Sequence, residues 1–222
     1  MARIALDAMG GDHAPQTPIA AALLAAAELG TTHTLQLVGQ EAVVRAELEK
    51  QLAAASPEVA ALAARFEIID APDVILMTDK PSVAIRGKPK SSMSIGLRLQ
   101  AEGKSDAFVS AGNTGAQMAA SVFVLRLHEG LERPAIGTVF PTAKQPVVVL
   151  DAGANVDCSP QELVNFAQLG HVYAKDILGR PTPAIGLLSV GEEPEKGNAA
   201  VKEAHQLLLQ SGLNFLGNVE GR

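Results

Sequence analysis

Short apolar runs and stretches of helical spacing alternate along almost the whole chain. Residues 3–7 read as a buried strand, and Ile19, Ala20, Leu23, Leu24 and Ala27 then recur at the spacing of one helix face. Thr17-Pro18 supplies an N-cap and a proline at the first helical position, and Gly30 a stop. Residues 35–38 form a second strand and 41–55 a second helix. Ser56-Pro57 opens a short Ala-rich helix, 66–69 make a third strand and 91–101 a further helix. The strand 107–109 leads through a glycine turn into a helix that ends near residue 127.

The second half continues the pattern. Residues 135–140 and 147–150 are two adjacent strands, a hairpin-like excursion. Ser159-Pro160-Gln161-Glu162 has the form of a capping box and opens a helix to about residue 178. Residues 185–189 read as strand, 199–210 as helix and 214–216 as a last strand. This alternation predicts an α/β fold, a mostly parallel sheet with helices on both faces, in one domain over 1–222. There is no internal repeat and no linker. The last strand runs into Gly217-Asn218-Val219-Glu220-Gly221-Arg222 with no helix after it, so the expectation is a chain cut short of its natural end.

Four turns directly follow strand-like runs and precede helices. They are Ala8 to His13, Ser110 to Ala116, Asp151 to Asp157, and Gly191 to Asn198. In an open parallel sheet such turns gather at the carboxyl edge, where these folds bind ligands. Glycine lets backbone approach a ligand, and helix N-termini offer free N–H groups to an anion. Four such turns together point to an enzyme that handles an anion or a phosphate.

Each turn has a plainer reading beside the functional one. Gly10-Gly11-Asp12-His13 lacks the spacing of a dinucleotide fingerprint. It is either a tight turn whose Asp12 and His13 bond the backbone, or, with Asp7, a polar pocket in which His13 carries protons. Ser110, Gly112, Asn113, Thr114 and Gly115 fit a phosphate nest more closely, because a simple cap needs only one of them. Asp151, Asn155 and Asp157 either shape a turn or line a pocket. A hard metal gathers more oxygen ligands at tighter spacing, so no metal is expected. Cys158 precedes a helix start but has no partner base, and a packed thiol is expected. Lys196, ahead of Gly197-Asn198 at a helix start, is placed to meet an anion, although its loop also reads as a solvated acidic one. Arg86, Lys88 and Lys90 form either a solvated basic loop or a patch for a phosphate or an acidic protein. His33, His128, His171 and His205 show no metal spacing and are read as structural.

Composition narrows the picture. The 222 residues are 47% apolar but only 3% aromatic, without tryptophan, so the core must be Ala, Leu, Val and Ile. A net charge of −6 argues against general nucleic-acid binding. The single cysteine excludes an internal disulfide and suits a reducing compartment. The N-terminus enters a strand pattern at once, which predicts no signal peptide, and the apolar run 19–27 is too short to span a bilayer.

These strings carry a resemblance. Ile4-Ala5-Leu6-Asp7-Ala8-Met9-Gly10-Gly11-Asp12-His13-Ala14-Pro15 resembles the opening of the bacterial phosphate acyltransferases of glycerolipid synthesis, the PlsX family. The likeness continues through Pro81 to Arg86 with Lys88 and Ser91-Ser92-Met93, Ser110 to Ala116, Leu150 to Asn155, Gly191-Glu192-Glu193 with Lys196-Gly197-Asn198, and Gly217 to Glu220. It covers the chain from end to end and in order.

The resemblance implies transfer of a fatty acyl group from acyl carrier protein to inorganic phosphate, and a fold akin to the phosphotransacetylases and the isocitrate or isopropylmalate dehydrogenases. It implies a homodimer without an organic cofactor, cytoplasmic and peripherally attached to the membrane, where a glycerol-3-phosphate acyltransferase takes the product. Family members continue for about another hundred residues with a further active-site turn, so activity, dimerisation and membrane attachment of the chain as it stands are open. The chemistry suits the residues, because hydrogen phosphate is already an anionic nucleophile and no enzyme residue need be acylated. The protein must hold phosphate against the thioester and stabilise the oxyanion, for which glycine-turn N–H groups, Lys196 and Asn113 are the right types. The rivals are a dehydrogenase of the isopropylmalate type and a non-catalytic module that binds phosphate or the carrier.

Overall fold

The computed structural model describes residues 1–221 and packs into two compact units, Met1–Arg126 and Leu127–Arg222. The first unit is built on a parallel sheet in the order β3-β2-β1-β4, from β1 (Ala2–Asp7), β2 (His33–Gly39), β3 (Glu67–Asp70) and β4 (Ala107–Val109). Helices α1 (Gln16–Leu29), α2 (Glu41–Leu52), α3 (Pro57–Ala63), α4 (Pro81–Gly87), α5 (Ser92–Ala101) and α6 (Thr114–Leu125) surround it.

The two-residue period of the strands divides the core. Ile4, Leu6, Leu35, Leu37 and Ile68 meet Ile19, Leu23, Val44 and Leu48 of α1 and α2. Their neighbours Ala5, Val38 and Ile69 pack with Ile95 and Leu99 of α5. The strands are therefore apolar on both faces, as a helix-covered parallel sheet requires. Full burial of a side chain such as Leu37 contributes about 1.5–3 kcal/mol. Gly96 lets α5 lie close to the sheet, since a Cβ there would fall 2.2 Å from the Phe108 ring.

The second unit holds an antiparallel pair, β5 (Gly137–Phe140) with β6 (Val147–Leu150), and a parallel pair, β7 (Ile185–Leu188) with β8 (Phe215–Val219). Its helices are α7 (Pro160–Asp176) and α8 (Ala199–Leu209), and Val164, Leu187, Ala204 and Leu208 form its core. The capping box is complete: Ser159 Oγ accepts the Glu162 N–H and Glu162 Oε2 accepts the Ser159 N–H. Arg133 pairs with the other Glu162 oxygen at 2.7 Å.

Local details differ from the pattern reading. α1 starts at Gln16 with Pro15 at its N-cap and no side-chain cap, because the Thr17 N–H already reaches the His13 carbonyl. α2 ends at Leu52, where Ala54 and Ala55 switch to three-residue turns. The basic stretch is not wholly loop: Pro81 at the first turn opens α4, whose seven residues are too few to display a period. β8 runs on to Val219 because Gly217 adopts φ +104° within the strand, beside a register shift at Gly186.

Candidate active site

The strand order reverses between β1 and β4. The chain adds β2 and β3 on one side of β1, then returns to place β4 on the other. A crevice opens at such a switch point beyond the carboxyl ends of the strands. The first two glycine turns meet there.

Asp7 closes β1 and is 2% exposed. Its Oδ2 accepts the Ser110 hydroxyl at 2.7 Å, from just beyond β4, and its Oδ1 accepts the Met9 N–H at 3.0 Å. Ser110 Oγ also accepts the Gly112 N–H at 3.0 Å. Gly10 is needed at the join: a Cβ there would lie 2.5 Å from Asp7 Oδ2 and 2.9 Å from the Gly112 nitrogen. Asp7 and Ser110 thus spend their side chains bracing the two turns.

Asn113 is the N-cap of α6. Its Oδ1 accepts the Ala116 N–H at 3.0 Å, and its Nδ2 faces the carbonyls of Leu76, Met77 and Asp79 at 3.2–3.4 Å. Asn113, expected to contact a ligand, here caps α6 and ties it to the loop before α4. That loop carried no signal in the pattern of apolar positions. The N–H groups of Thr114 and Gly115 have no hydrogen-bond partner among the described residues, and Thr114 is exposed. Free N–H groups at a helix start are the kind of donor that an anion can accept from. Asp12 and His13 are exposed beside Gly11, whose φ of +101° shapes the first turn.

In the basic stretch, Lys88 is ion-paired to Asp79, which also accepts the Leu76 N–H at 2.8 Å. The Lys88 ammonium is the main influence holding the Asp79 carboxyl below the usual range, followed by the Leu76 N–H. Arg86 and Lys90 remain exposed, without an ion pair among the described residues.

In the second unit, Asp151 folds its own turn. Oδ1 accepts the N–H groups of Gly153 and Ala154 at 2.9 and 2.7 Å; Oδ2 accepts Ile136 N–H at 3.3 Å and Asn155 Nδ2 at 2.7 Å. Burial, the largest single influence, raises its pKa, but these four bonds together outweigh it and the net shift is downward. Asn155 also donates to the Pro134 carbonyl at 2.9 Å. The hydrogen bonds of both side chains shape the turn, and Asp151 also lines a pocket. Burial, then the nearby Glu162 carboxylate, pushes the Cys158 thiol up, away from a reactive thiolate. Both Asp151 and Cys158 line an apolar cavity of about 530 Å³ between β6, β7 and α7.

Lys196 is exposed and has no ion pair among the described residues. Its stem crosses Gly191, where a Cβ would lie 2.9 Å from Lys196 Cγ. Asn198 caps α8, accepting Val201 N–H at 2.9 Å. Ser189, a residue the pattern did not single out, has a buried hydroxyl without a partner among the described residues. It lies 3.0 Å from where Gly197 would carry a Cβ.

The architecture is that of an α/β protein in which two glycine turns meet at a switch point of the first unit. Residues 2–222 match the family described as fatty acid synthesis protein, and the chain belongs to that family. It is 49% identical over 222 residues to the phosphate acyltransferase of Desulforamulus reducens, and 45% identical to that of Aquifex aeolicus. In both cases the match covers all of this chain and 63% of the relative, so the chain spans less than two thirds of their length. The fold is also that of EutD phosphotransacetylase from Staphylococcus aureus, with a TM-score of 0.66 at 15% identity, covering 99% of this chain and 68% of that one. A branched-chain phosphotransacylase from Enterococcus faecalis V583 gives a TM-score of 0.63 at 14% identity over 100% and 68% of the two chains. No helix of the described residues is long and apolar enough to cross a membrane.

Proposed function

We propose that this chain is an enzyme that transfers a fatty acyl group from acyl-[acyl carrier protein] to inorganic phosphate, yielding acyl phosphate and free carrier protein. The observation that carries the reading is the joining of two glycine turns by Asp7 and Ser110 beside the open Thr114 and Gly115 N–H groups. The phosphate acyltransferase relatives and the phosphotransacylase fold support it. Phosphate rests at the α6 N-terminus. One of its oxygens attacks the thioester carbonyl, the carbon–sulfur bond breaks, and the carrier leaves as a thiol after taking up a proton. Helix N–H groups stabilise the negative charge, Lys196 is the cation of the reaction, and exposed His13 is the proton carrier. Cys158 takes no part.

Arg86 and Lys90 meet the acidic carrier. The working protein is a cytoplasmic homodimer peripherally attached to the membrane, and the product passes to a membrane glycerol-3-phosphate acyltransferase.

The test is phosphate-dependent release of thiol from an acyl carrier protein thioester, for this chain and for one of the relatives' full length. Loss of one preorganised donor costs about 2.7–4 kcal/mol in the transition state. Lys196→Ala should therefore lose about 100-fold or more in turnover with the fold retained. Near-normal turnover in that variant removes Lys196 from the chemistry; thiol release independent of phosphate sinks the reaction itself.

A further inference from the structure

The turn that carries Lys196 is held from beneath by a buried relay of hydrogen bonds. His205, on α8, is 5% exposed and lies edge-on to Phe215 with 5.2 Å between ring centroids. Its Nδ1 is 3.0 Å from Asn218 Oδ1 on β8. An amide oxygen only accepts, so the imidazole Nδ1 carries the hydrogen and donates. The other end of the same amide, Asn218 Nδ2, donates to the Glu193 carbonyl at 2.8 Å. That carbonyl also accepts the Lys196 backbone N–H at 3.0 Å.

The relay fixes more than packing does. Asn218 is 6% exposed, and its amide has a donor on one side and an acceptor on the other. Turning it over would set Oδ1 against the Glu193 carbonyl, two acceptors facing each other. The Glu193 carbonyl therefore sets the orientation of the amide, and His205 holds it there by donating its Nδ1–H to the Oδ1 that remains. Glu192, Glu193, Glu195 and Lys196 are all exposed, so this turn gains little from apolar burial. Its geometry depends on the Glu193 carbonyl being held from below.

We propose that His205 is a positioning residue for Lys196, acting through Asn218 and the Glu193 carbonyl. The part concerning catalysis rests on Lys196 being the cation of the proposed reaction. His205 touches no reacting atom; it sets where the backbone of the lysine starts.

The experiment compares His205→Phe, His205→Asn and Asn218→Ala with the unaltered chain. Phenylalanine keeps a ring against Phe215 but cannot donate, whereas asparagine puts an amide donor near the place of Nδ1. Two quantities are read: hydrogen exchange of the 193–197 amides against that of α7, and kcat and KM in the phosphate-dependent thiol release. His205→Phe is expected to speed exchange of the Lys196 amide about tenfold with α7 unchanged, and to lower kcat about tenfold at constant KM. Exchange and kcat should both recover in His205→Asn.

Unchanged exchange at 193–197 in His205→Phe overturns the proposal. So does acceleration spread evenly over the unit without rescue by asparagine. Should the phenylalanine variant fail to fold, Asn218→Ala decides through the same local exchange. If exchange responds as expected but Lys196→Ala turns over normally, the relay stands and the catalytic assignment of Lys196 fails. Those two failures are separate.

Discussion

Ser110 donates a hydrogen bond to Asp7 at 2.7 Å across 103 residues of chain, and by doing so joins the ends of β1 and β4. The carboxylate also holds the Met9 N–H, and the hydroxyl also holds the Gly112 N–H. Two loops that would otherwise move separately share one buried anchor.

That anchor makes Asp7 a stability residue. Asp7→Ala leaves the Ser110 hydroxyl and the Met9 N–H without their acceptor. An unsatisfied buried group costs about 1–3 kcal/mol, and these two, being half-buried, belong at the lower end of that range. A urea titration should show the variant destabilised by at least about 2 kcal/mol, within a single transition of the first unit. A midpoint within error of the parent would mean the two turns are held by something else.

Asn113 is expected to behave as a cap. Replacing an N-cap asparagine by alanine costs about 0.5–2 kcal/mol, and here the 76–79 loop loses its tie as well. Asn113→Ala should lower the melting temperature and make the 76–79 segment more sensitive to proteolysis. Asn113→Asp keeps the cap acceptor but not the donors, so it should spare α6 and loosen only the loop. If Asn113→Ala weakens phosphate binding at unchanged stability, the amide is a ligand contact after all.

The Asp151 turn carries a pH signature. The folded pKa lies below the ordinary carboxylate value, so the unfolded chain binds the proton more readily. The stabilisation is complete above the unfolded value of about 3.9 and is lost as pH falls through the lower folded value. Asp151→Asn should reduce stability near neutral pH and reduce its fall between about pH 5 and 2. A variant whose stability drops with acid as steeply as the parent's would remove Asp151 from that role.

Arg86 and Lys90 are the cations to test for carrier docking, because Lys88 is engaged with Asp79. The double reversal Arg86→Glu, Lys90→Glu should raise the apparent KM for acyl carrier protein, most at low salt. Exposed charges are screened over about 8 Å in physiological salt. Phosphate dependence should move little. A loss of phosphate affinity instead would assign this stretch to the anion site.

Much of this was legible in residue order. The alternation of apolar runs with helical spacing fixed the α/β class, and Ser159-Pro160-Gln161-Glu162 announced its capping box because every partner lies within one helical turn. The four glycine turns were visible because glycine and asparagine after a strand run are local signals. Short elements were not: α4 has seven residues, too few to show a period. The strand β8 runs through a glycine that local propensity would place in a turn.

The sequence by itself determined which residue types stand at which turns, since that chemistry is written in neighbours. Only the tertiary structure decided which of them are spent. Asp7 and Ser110 brace each other, Asn113 caps and ties, Lys88 is paired, and Asp151 and Asn155 fold their own turn. The Asn113 cap and most bonds of the Asp151 turn are local, but the Asp7–Ser110 brace, the Lys88 pair and the Asn113 tie depend on partners at least nine residues away. The same holds for His205, which looks like an isolated histidine until β8 brings Asn218 against it. Spacing along a chain records local geometry, whereas hydrogen-bond satisfaction in a folded interior is settled by segments that meet only when the sheet has formed.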